Sequence, residues 1–138
     1  MFRKILLEYD GSDLSQRAFE RCLQLAKESG KLAIVGVVRP SAVALDFGTQ
    51  AILDQAQDEL AAQLARLERR ARLAGIEVLT QARFGDPVQE IIRAAEEGHA
   101  DLIVTSCAAD RRFIRRFAVP RATSRLIAKA RCAVLVIR

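Results

Sequence analysis

The chain has 138 residues, enough for one domain spanning residues 1–138 that buries its own core without disulfides or a bound metal. Its net charge of +5 raises the question of nucleic acid, while three cysteines, Cys22, Cys107 and Cys132, odd in number and in no CxxC pair, exclude a regular disulfide framework and point to reduced thiols. No apolar run is long enough for a membrane span, and Met1-Phe2-Arg3-Lys4 leads into a strand rather than a signal-peptide core, so a soluble cytoplasmic protein with no membrane partner is expected.

Arg3 to Tyr9, with Ile5-Leu6-Leu7 at its centre, reads as a strand that stops at the turn Asp10-Gly11-Ser12-Asp13. Leu14, Ala18, Cys22, Leu25 and Ala26 then recur at helical spacing until Ser29-Gly30. The continuous apolar run Leu32 to Val38 is the pattern of a strand covered on both faces. Arg39 to Thr49 lacks periodicity, and Pro40 and Gly48 mark it as a loop. A long helix follows, with Leu53, Ala56, Leu60, Leu64, Leu67, Ala71 and Ala74 on one face and Gly75 as its stop.

Ile76 to Arg83 begins by alternating apolar and polar residues, as an edge strand does. In Gly85-Asp86-Pro87, Asp86 suits a helix cap and Pro87 the first helical position, and Val88, Ile91, Ile92 and Ala95 give that helix a buried face up to Gly98. Asp101 to Thr105 and Cys132 to Ile137 read as two further strands joined through a helical segment. The order β-α-β-α-β-α-β-α-β requires parallel strands with helices on both faces, a three-layer α/β/α architecture.

Four stretches in the right order resemble the universal stress protein family along essentially the whole chain. These are Tyr9-Asp10-Gly11-Ser12 with Ser15 and Ala18, Gly85-Asp86-Pro87 with Ile91-Ile92, Ala100-Asp101-Leu102-Ile103-Val104, and Cys132-Ala133-Val134-Leu135-Val136. The resemblance implies a five-stranded, Rossmann-like sheet of the adenine nucleotide alpha hydrolase-like kind, with strand order 3-2-1-4-5 and a nucleotide crevice where the order reverses at the first strand. In nucleotide-binding members an aspartate after strand 1 and the end of strand 2 hold the adenosine, and Asp10 and Val38 match those positions. The phosphate loop of such members is Gly-x-x-Gly, nine residues, then Gly followed by Ser or Thr. Here the first two glycines fall on Ser106 and Ala109. The third falls on Val119, or on Pro120 when counted back from Cys132, with Arg121 in place of the hydroxyl residue.

Side chains at positions that need positive φ are strained by roughly 1 kcal/mol, and Pro120 has no N–H to offer a phosphate. Two lost contacts would weaken binding roughly a hundredfold, at about 1.4 kcal/mol per factor of ten. No cofactor is therefore expected, ATP or AMP being the ligands if a nucleotide binds.

The eight cations from Arg111 to Arg131, with no acid among them, exceed the net charge, so the basicity is local to this segment. Arg111, Arg112, Arg115 and Arg116 are candidates for gripping an anion with guanidinium groups, against the plainer reading of a solvated charged loop. Nucleic acid is disfavoured, since no recognisable motif and few aromatics for stacking are present.

Cys107 lies just past the fourth strand with these arginines nearby, and His99, the only histidine, belongs to the opposite end of the sheet, so no Cys107–His pair is expected. Asp10 has an equally simple role in closing the strand-to-helix turn with Ser12 and Asp13. No acid–base pair, metal-ligand spacing or nucleophile elbow is visible, so the chain reads as non-enzymatic, with residual ATPase activity at most.

The last strand would be an edge, and Ala133, Val134, Leu135, Val136 and Ile137 leave it apolar, which the family resemblance resolves by pairing two copies into a homodimer. The leading reading is a stress-response module acting through protein contacts with an unknown partner. The rivals are an adenine-nucleotide sensor and an anion or nucleic-acid binder.

Overall fold

Alternating apolar residues build both faces of one sheet in the computed structural model, which describes residues 2–40, 47–107 and 120–138, with the side chains of residues 29 and 47–49 left aside. Nine elements follow in the expected order. They are β1 (Ile5–Glu8), α1 (Asp13–Ser29), β2 (Lys31–Val38), α2 (Phe47–Leu73), β3 (Glu77–Phe84), α3 (Pro87–Glu97), β4 (Leu102–Ser106), α4 (Arg121–Lys129) and β5 (Ala133–Ile137). All strand pairs are parallel and the order is β3-β2-β1-β4-β5.

Successive side chains of a strand leave on opposite faces, so the apolar run of β1 feeds two cores. Ile5 and Leu7 join Phe19 of α1 and Leu60, Leu64 and Leu67 of α2. Leu6 joins Val88 and Ile91 of α3 and Leu126 of α4. Gly36 of β2 lies under α2: a Cβ there would stand 2.6 Å from Leu60 Cδ1, so a larger residue would displace the Leu60 side chain. The edge strand β3 is half-buried or exposed throughout, as its alternation predicts.

Local signals set the helix ends. Ser12 Oγ accepts from Ser15 N at 3.1 Å to cap α1, and Gly30 closes that helix in the left-handed region at φ 77°. The structure starts α2 at Phe47, inside the stretch read as loop. Gly48 therefore lies in the first turn, where the N–H groups lack intrahelical partners in any case. Cys132, read as the first residue of the last strand, precedes β5 instead.

Asp86 caps α3 as expected, its Oδ2 accepting from Gln89 N at 3.0 Å. The same carboxylate lies 3.7 Å from Arg39 Nη2 and 3.6 Å from Arg125 Nη2, so it also ties the end of β2 and α4 to α3. Asp86→Ala is expected to cost about 1 kcal/mol through the lost cap, the partly exposed ion pairs adding little, and to lower the urea midpoint without changing the slope.

Candidate functional site

In the order β3-β2-β1-β4-β5 the chain winds outward from β1 to one side and from β4 to the other, so the reversal lies between β1 and β4. In open parallel sheets the ligand crevice opens at such a point, beyond the carboxyl ends of the strands. The register Leu7↔Val104 places Asp10, Ser106 and Cys107 at that end, and Val38 ends the neighbouring β2. Arg121, which opens α4, is the fourth predicted position within the described residues. Ala109, Arg111, Arg112, Arg115 and Arg116 lie outside them.

Asp10 is exposed, and its Oδ1 accepts from Ser12 N at 2.9 Å. Burial pushes its pKa up, but hydrogen bonds from Ser12 and Ser15 outweigh that and hold the carboxyl below its ordinary value. The turn-closing role is thus present in the geometry, and it keeps the side chain charged. Val38 is half-buried, and its carbonyl accepts from Gly85 N at 3.0 Å.

Pro120 occupies the cap position of α4 at φ −52° and ψ 146°, with no side-chain capping bond. The position just before the helix therefore carries no N–H.

Glu8 is a residue the sequence reading passed over. It ends β1, and its Oε2 accepts from Thr105 Oγ1 of β4 at 2.8 Å, directly across the reversal point. Burial, aided by the nearby charge of Asp10 and opposed by the Thr105 bond, raises its pKa. Its sequence signal was an acid at the last position of an otherwise apolar strand, just ahead of the ligand turn. Glu8 and Asp10 thus set two carboxyl groups at the carboxyl end of β1.

A raised carboxyl pKa means that the folded protein holds the proton to higher pH than the unfolded chain does. The stabilising contribution is complete below the ordinary carboxylate range and is lost as pH rises through the folded value. Asp10 acts in the opposite sense, its contribution being lost as pH falls. Glu8→Gln keeps an acceptor for Thr105 without the charge. It should raise Tm at about pH 7 and change it little at about pH 4, a comparison that differential scanning calorimetry makes directly.

The cysteines fall into different settings. Cys107 is buried at 8% exposure, and its N–H donates to Ile137 O at 2.9 Å. Cys22 is fully buried, and its thiol pKa is pushed up to about 12. His99 keeps to the far end of the sheet, as expected, but there it lines one cleft with Cys132. Burial raises the Cys132 thiol pKa, so no activated thiolate forms there. Among the described residues no cluster of His, Cys, Asp and Glu could hold a metal, and no helix is long and apolar enough to cross a membrane.

The model of the universal stress protein family matches residues 1–138. A universal stress protein of Methanocaldococcus jannaschii is 28% identical, the match covering 100% of this chain and 83% of that one. The solved universal stress protein UspA from Lactobacillus plantarum superposes with a TM-score of 0.85 at 26% identity, covering 100% of this chain and 99% of that one. A universal stress protein solved in complex with cAMP superposes with a TM-score of 0.74 at 23% identity, over 99% and 97% of the two chains, a likeness of fold. With the sheet order, the switch-point crevice and a match over its whole length, the chain belongs to the universal stress protein family.

Proposed function

We propose that this chain is a non-enzymatic stress-response module of the branch without the glycine phosphate motif, with ATP binding lost or weak, acting through protein contacts as a homodimer. The observation that carries this reading is Pro120 at the cap of α4, which has no N–H and makes no side-chain capping bond. The carboxyl groups of Glu8 and Asp10 at the end of β1 support it, since a carboxylate repels phosphate oxygens. Native mass spectrometry of the purified protein should find no co-purifying nucleotide. A thermal-shift series should show AMP and ATP changing Tm by less than a degree or so at millimolar ligand, and a rise of several degrees with ATP would sink the reading.

The dimer rests on β5, an edge strand whose outer side has no strand partner among the described residues and whose Leu135 is 38% exposed. Leu135→Asp should shift the population to monomer in light scattering at micromolar concentration, and an unchanged mass would remove β5 from the interface.

The second reading is an adenine-nucleotide sensor. Asp10, charged and exposed at the crevice, and the likeness to a protein solved with cAMP favour it. A nucleoside without phosphates would then bind this chain about as well as AMP does.

A further inference from the structure

The two faces of the sheet are unequally covered. Helices α1 and α2, of 17 and 27 residues, cover one, whereas α3 and α4, of 11 and 9, cover the other. Val78 of β3 packs towards the long helices, so its neighbour Leu79 emerges on the short-helix side, where it is 59% exposed. Further along that face of β3, Gln81 and Arg83 are covered, because the Arg83 guanidinium bonds Gln81, Glu90 and Glu97. Leu79 has no such cover.

The register aligns Leu79 with Ala33 and Ala33 with Leu6 in one row across β3, β2 and β1. The small side chain of Ala33 leaves a hollow between the two leucines, and Ala94, Gly98 and Ala100, all small, wall it from the end of α3. The result is a cavity of about 370 Å³ at the amino ends of the strands, opposite the switch-point crevice. Its size falls within the ~300–1,000 Å³ range of small-molecule pockets. Lys4, Lys31 and Glu77 stand on its rim. Glu77 lies 3.9 Å from Lys31 Nζ, and the nearby Asp101 carboxylate accepts from the backbone N–H groups of Arg3 and Lys4, so the Lys4 ammonium is the rim cation with no ion pair among the described residues.

We propose that this cavity binds a small amphipathic carboxylate of the medium-chain fatty-acid class. Its chain would lie on Leu6, Ala33 and Leu79, and its carboxylate would lie against Lys4 and Lys31. An apolar slot with an opposite charge at its mouth suits this ligand, since the tail leaves water while the head keeps a partner. A polar nucleotide finds no donor or acceptor set in the slot. The site is independent of the crevice, so its occupancy does not depend on whether ATP binds.

Titration of octanoate into the ¹⁵N-labelled full chain tests the proposal. Saturable amide shifts are expected at Ala33, Leu79, Gly98 and Ala100, with none at Asp10 or Ser106. Lys4→Gln should weaken octanoate about tenfold and leave octan-1-ol unchanged. Leu79→Asp, at an exposed position that folding does not need, should abolish both. Absence of saturation at millimolar octanoate would overturn the proposal, as would shifts centred on the crevice or equal binding of octanoate by Lys4→Gln and the parent chain. Shifts at the same residues that follow protein concentration instead of octanoate would overturn it in favour of contact between two copies.

Discussion

Placing glycine at Ser106, Ala109 and Pro120 and serine at Arg121, together in one chain, is expected to raise affinity for ATP by about a hundredfold. Pro120 caps α4 without an N–H and without a side-chain capping bond, and Arg121 opens the helix. Glycine at position 120 restores one amide donor, and serine at position 121 adds a hydroxyl. Two recovered contacts at about 1.4 kcal/mol per factor of ten give that estimate. Pro120→Gly alone should supply about a tenth of the gain in affinity. If isothermal titration finds the fourfold variant no better than the parent, the missing glycines are not what limits binding. Glu8 at the end of β1 would then be the next residue to change.

Phe19→Ala is expected to destabilise the protein by about 3–5 kcal/mol, a large part of the stability of a domain this size. The ring is fully buried in the cluster that holds Ile5, Leu7 and the leucines of α2. Arg70 lies over the ring with its guanidinium 5.1 Å from the centroid, and it pairs with Glu20 at 2.6 Å, so the ring also organises a surface contact between α1 and α2. Urea unfolding should show the loss as a lower midpoint. A cost below about 1 kcal/mol would mean that the core is not centred on this residue.

The elements were legible in the sequence because most are set by local signals. Ile5-Leu6-Leu7 and Leu32 to Val38 are continuous apolar runs, Asp86-Pro87 is a cap followed by a first-turn proline, and Gly30 is a left-handed stop. The strand order came from family resemblance, since periodicity alone does not say which parallel strand lies beside which.

Features that depend on pairings between distant residues stayed hidden. Glu8 meets Thr105 from 97 positions away, and nothing local to either residue reveals the bond. Gly36 looked like one more small residue in an apolar strand, and only the approach of Leu60 shows why it is there. The hollow at Ala33 likewise needs Leu79, Leu6 and the end of α3 to be placed before it exists. Of the candidate crevice, Asp10, Val38, Ser106 and Arg121 were expectations from the family resemblance, and the structure adds the turn-closing bond of Asp10 and the proline cap of α4.

Isothermal titration of ATP into the parent protein is the decisive experiment for a chain proposed to have lost its grip on phosphate. No saturable heat is expected at micromolar ATP. Micromolar binding, with the phosphates ordered against residues 106–121, would contradict it.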